Sequence, residues 1–81
     1  MFKFQPKWKE ELVVNGPGGS FVLELMMGKL SAYLPSEYEW ASRAPQWAVG
    51  LWPQLKLELE HWCIQNATVL YIEPDAQVWT T

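Results

Sequence analysis

Five residues constrain this chain most: Asn15-Gly16-Pro17-Gly18-Gly19, set between residues 8–14 (WKEELVV) and 20–26 (SFVLELM). Asn-Gly followed by Gly-Gly supplies backbone positions that tolerate positive φ, as a tight reversal requires. Beyond the turn, Phe21, Leu23 and Leu25 alternate with Val22, Glu24 and Met26, the period of a half-buried strand. A β-hairpin is expected. Met27-Gly28 reads as a short turn into residues 29–34 (KLSAYL), where Leu30, Ala32 and Leu34 alternate with Ser31 and Tyr33. The three segments make an antiparallel meander.

The period then changes. Ser36 followed three residues later by Glu39 matches a capping box, in which each side chain satisfies a backbone N–H at a helix start. A short helix over residues 37–43 follows, stopped by Pro45, which disfavours helical geometry at Ala44. Leu55-Lys56-Leu57-Glu58-Leu59-Glu60 alternates as a strand would, but its residues are strong helix formers and none is β-branched. Over the wider window 46–66, Ala48, Leu51, Trp52, Leu55, Leu59, Trp62 and Cys63 recur at three- and four-residue spacing and line one helical face. Pro53 either kinks this helix or marks the first turn of a second one. Residues 68–72 (TVLYI) read as a strand, and 78–81 as a short terminal one. The expected fold is α+β: an antiparallel sheet of four or five strands packed on one main helix.

At 81 residues the chain holds one domain, residues 1–81. Its thin core is offset by aromatic content of 15 %, six Trp included, because each large ring buries roughly 150–250 Å². Charged residues at 19 % argue against disorder. The longest apolar runs span a few residues, against roughly 20 for a bilayer crossing, and residues 1–7 lack the apolar stretch of a signal peptide. A cytoplasmic location without membrane attachment is expected. Lys3, Lys7 and Lys9 concentrate base at the start, whereas from residue 10 onward Lys29, Arg43 and Lys56 face nine acids. An acidic body repels phosphate backbones, so a basic protein is the expected partner and nucleic acid is not. Mild acidity also serves solubility alone.

Catalytic constellations are missing from the sequence. His61 and the single cysteine, Cys63, stand two apart and point to different sides of a helix. Glu58-x-x-His61 has the spacing that di-metal bundles use twice, but it occurs once and reads as a surface pair. The Gly-rich turn has no following Lys-Ser/Thr and leads into a strand, so it builds no phosphate cradle. The expectation is a non-enzyme without cofactor or metal.

Tryptophan is the informative excess. Trp52 and Trp62 fall on the core face of the long helix, and Trp8 and Trp79 near the sheet ends. Trp40 and Trp47 flank the elbow between the helical segments. With Glu37, Tyr38 and Glu39 beside them, and Glu58 and Glu60 on the next helix, they form a candidate partner-binding surface of aromatic anchors in an acidic rim. Closing the core edges is the alternative role of the same rings. Leu57 and Ile64, seven apart and opposite the core face, offer a second contact stripe.

Taken together, Gly16-Pro17-Gly18-Gly19-Ser20-Phe21, Leu23-Glu24-Leu25, Tyr33-Leu34-Pro35-Ser36-Glu37, Ala44-Pro45-Gln46-Trp47-Ala48, Leu51-Trp52 and Leu59-Glu60-His61-Trp62-Cys63 resemble a family of small bacterial immunity proteins. Those proteins neutralise toxins delivered by contact-dependent inhibition and related polymorphic-toxin systems. The resemblance spans roughly residues 8–79. It implies neutralisation of a cognate toxin domain, a basic nuclease being one such target, by protein–protein contact. A small self-associating structural or regulatory adaptor, meeting through Leu57 and Ile64, is the competing expectation.

Overall fold

In the computed structural model, which describes residues 1–7 and 9–80, four strands follow one another as antiparallel neighbours: β1 (Lys3–Lys7), β2 (Glu11–Gly16), β3 (Gly19–Met26) and β4 (Ser31–Leu34). Trp8 and Thr81, which the sequence reading placed at a sheet end and in a terminal strand, lie outside the described residues. The expected hairpin forms with Gly16 opposite Gly19 across Pro17-Gly18. β1 is an addition to the expected sheet. Its sequence, KFQPK, has little strand character, and Pro6 is tolerated because β1 lies at the sheet edge, where one N–H side needs no partner.

After β4 the chain crosses one face of the sheet through α1 (Glu37–Arg43), a 3₁₀ helix (Gln46–Leu51) and α2 (Trp52–Gln65), then returns as β5 (Val69–Ile72). β5 pairs parallel with β4, Tyr71 opposite Tyr33. The sheet is therefore mixed rather than wholly antiparallel, because a long crossover brings the chain back in its starting direction. β6 (Val78–Thr80) pairs antiparallel with β3 at Phe21–Leu23 and continues the line of β4, which pairs with β3 at Glu24–Met26. Among the described residues six strands result, against the four or five expected.

The helices form where expected, with local differences. Ser36 makes no side-chain cap bond, so the capping box is not built; Glu39 instead pairs with Arg43 at 3.5 Å, the i, i+4 partner one turn on. Pro53 lies in the first turn of α2, where an N–H has no helical acceptor to lose, so it marks the start of this helix. At the other end Thr68 N–H bonds the Cys63 carbonyl at 2.8 Å and Ala67 N–H reaches Ile64 at 3.5 Å. This is a Schellman cap with alanine, at φ 51°, in the position that glycine usually takes.

The core lies between the helices and the inner face of the sheet. Leu12, Val14, Phe21, Leu23, Leu25, Ala32 and Leu34 point inward from the strands and meet Trp40, Ala48, Leu55, Leu59 and Cys63. Leu51, Trp52 and Trp62 pack at its margin, so the helical face read from the sequence is the face that is buried.

Candidate partner-binding surface

The expected surface on the helical segments does not assemble as read. Trp40 is 1 % exposed, its ring edge-on to Phe21 with centroids 5.3 Å apart and its Nε1–H donating to the Ala48 carbonyl at 2.9 Å. It is a core residue, not an anchor. Trp47 is half-buried over the β2–β3 turn, within 6.4 Å of the Phe2 ring and 5.9 Å of Phe21. Of the two roles open to rings that flank the elbow, surface anchor or core closure, these two take the second. The elbow folds inward, where two indoles supply area that a small core needs.

The acids of this layer are mostly engaged. Glu39 pairs with Arg43, and Glu60 accepts from Lys56 Nζ at 3.1 Å. Glu58 accepts the Phe2 N–H at 2.8 Å, stands 3.4 Å from the Met1 amino group and is bonded by Gln54 Nε2. Desolvation pushes the Glu58 carboxyl upward, but these hydrogen bonds and the neighbouring positive charge outweigh it and hold its pKa below the ordinary value. Glu37 and Tyr38 remain open on α1, Tyr38 at 86 % exposure. Leu57 and Ile64 are 62 % and 81 % exposed on α2, as their spacing implied. His61 is exposed while Cys63 is buried, and burial followed by the charge of Glu60 raises the Cys63 thiol to about 11. Thiolate chemistry is suppressed at neutral pH.

Among the described residues, the opposite face of the sheet carries no helix. Strand register lays two rows of side chains across it: Lys7, Glu11, Glu24, Tyr33 and Tyr71 in one, Gln5, Val13, Val22 and Trp79 in the other. The Tyr33 and Tyr71 rings stack at 5.4 Å and 18°. Trp79 is 46 % exposed. Two shallow hollows flank these rings. One, of about 420 Å³, is lined by Glu24, Tyr33, Glu73 and Asp75; the other, of about 310 Å³, by Lys9, Glu10, Glu11, Glu24 and Trp79. Five of the chain's nine carboxylates thus gather at one aromatic face.

The helical layer holds this rim in place from behind. Arg43, at the end of α1, donates Nη1 to the carbonyls of Pro74 and Ala76, the latter at 3.2 Å. Glu24 accepts the Gln77 N–H at 2.9 Å. The loop that presents Glu73 and Asp75 is therefore tied at both sides. The sequence reading did not single out Glu11, Glu24, Tyr33, Tyr71, Glu73 or Asp75. A signal existed for two of them: the alternation that puts Leu23 and Ala32 in the core puts Glu24 and Tyr33 on the other face.

Among the described residues no group of three or more His, Cys, Asp or Glu side chains is placed to hold a metal ion, and no helix is long and apolar enough to cross a membrane. Comparison with protein-family models, with curated proteins and with solved structures finds no match to this chain.

Proposed function

We propose that this chain is an immunity protein that binds and neutralises a cognate, basic toxin domain by protein–protein contact, using the helix-free face of its sheet. The observation that carries this reading is the gathering of five carboxylates around Tyr33, Tyr71 and Trp79. Arg and Lys side chains stack on exposed aromatic faces and pair with carboxylates, and complementary fields raise the association rate and suppress wrong partners. The resemblance to immunity proteins supports the same reading, with a cytoplasmic site of action.

The test is affinity purification of the tagged protein from its native host, followed by mass spectrometry. Stoichiometric recovery of the C-terminal domain of a large secreted protein is expected. Glu24→Lys with Asp75→Lys is expected to abolish that recovery, while Glu37→Lys with Glu39→Lys spares it. Loss only with the second pair moves the surface to α1.

The exposure of Leu57 and Ile64 favours one alternative, a self-associating adaptor that meets through α2. A strict monomer in sedimentation at high concentration excludes it.

A further inference from the structure

The two edges of the sheet are unlike. β1, at one edge, carries Lys3, Lys7 and Pro6, which are features that discourage another strand from pairing. β5, at the other edge, reads VLYI, with no charge, proline or bulge, and Val69, Tyr71 and Ile72 are exposed. Its backbone orientation is settled by two bonds: Val69 N–H to the Leu30 carbonyl at 3.0 Å and Glu73 N–H to the Leu34 carbonyl at 2.9 Å. Alternation along a strand then turns the N–H and C=O groups of Leu70 and Ile72 away from β4, at the outer edge.

We propose that β5 is a docking edge that accepts a strand from a basic partner, one whose side chains alternate between base and apolar. This rests on the binding-protein reading above and deepens it. A strand laid beside β5 continues the sheet, so its alternate side chains fall on the two faces already described. On the helix-free face they extend the row that ends in Tyr33 and Tyr71, beside Glu73 and Asp75, where Arg or Lys finds both ring faces and carboxylates. On the other face they meet Leu70 and Ile72, which want apolar neighbours. Main-chain bonds to Leu70 and Ile72 hold the added strand, and the alternation selects it. A second copy pairing β5 with β5 fits poorly, because residues 57–81 contain no Lys or Arg and would add carboxylates to an edge already rich in them, and β1 of a second copy carries the Pro6 that discourages pairing.

The test is amide hydrogen exchange read by NMR on the full chain, with a capped eight-residue peptide of alternating arginine and valine as probe. In the free protein the Leu70 and Ile72 amides are expected to exchange fast and those of Val69 and Tyr71 slowly. Saturating peptide is expected to slow Leu70 and Ile72 by at least about tenfold, and an alternating glutamate–valine peptide to leave them unchanged. Ile72→Pro removes an N–H that has no acceptor within the sheet, and is expected to keep the fold and lose the peptide.

Peptide that shifts the Tyr33 and Trp79 signals without protecting Leu70 and Ile72 overturns strand addition and leaves the acidic-face reading standing. No binding of the peptide overturns both. Concentration-dependent protection without peptide, with dimers in sedimentation, overturns the basic partner in favour of a second copy. Should Ile72→Pro unfold, the exchange pattern of the unaltered chain still decides.

Discussion

The indole of Trp47 occupies the space that a side chain on Gly18 would need: a Cβ there would stand 2.6 Å from Trp47 Cγ and Cδ2. At Gly16 the same ring would be 2.6 Å away through Cη2. The turn glycines thus do more than reverse the chain. They leave the hairpin tip bare so that a ring from the helical layer can rest on it, which ties the 3₁₀ helix to the sheet.

Gly18→Ala is expected to destabilise the protein by about 1–3 kcal/mol, the usual cost of overpacking, and to shift Trp emission to the red as Trp47 is displaced. Urea unfolding with fluorescence detection measures both. An unchanged midpoint would mean that Trp47 does not rest on the turn.

Ala67 sits at φ 51°, a conformation that costs a residue with a Cβ roughly 1–2 kcal/mol. Glycine avoids that cost but orders at greater entropic expense. The net expectation for Ala67→Gly is a gain of up to about 1 kcal/mol, or about 4–8 °C in melting temperature for a domain of this size. Calorimetry showing a lower melting temperature would contradict the cap geometry.

Glu58 joins α2 to the start of β1 through the Phe2 N–H and the Met1 amino group. Its pKa is lowered on folding, so the stability it contributes is present above its unfolded value of 4.5 and is lost as pH falls through the lower folded value. Glu58→Gln is expected to flatten that acid limb and to lower stability above it. A melting-temperature profile from pH 2 to 7 reads the difference, and superimposable profiles would remove Glu58 from this role.

Cys63 is 2 % exposed and its thiol is raised to about 11. A disulfide reagent at pH 8 is expected to label the native protein only as fast as the protein opens, with full reactivity in denaturant. Immediate labelling of the folded chain would place Cys63 at the surface.

Much of this fold is legible from neighbours in the chain. The hairpin follows from turn residues, α2 from the spacing of Leu55, Leu59 and Cys63, and the capture of Glu39 and Glu60 from i, i+4 bases that local spacing already places. These features depend on contacts within a few residues, so local sequence suffices to specify them.

Other features come from pairings between distant parts of the chain. β1 gains its strand conformation from β2, β5 is parallel because the helices intervene, and Trp40 is buried because Phe21 and the Ala48 carbonyl meet it. The acidic aromatic face has the same origin. Glu11, Glu24, Tyr33 and Tyr71 come from four different strands and share a row only through register. The sequence alone determined the hairpin, the helices and the alternation that turns Leu12, Val14, Phe21, Leu23 and Leu25 inward. Tertiary structure decided which outward residues became neighbours, because cross-strand register is set by the packing of the whole core and by no single segment.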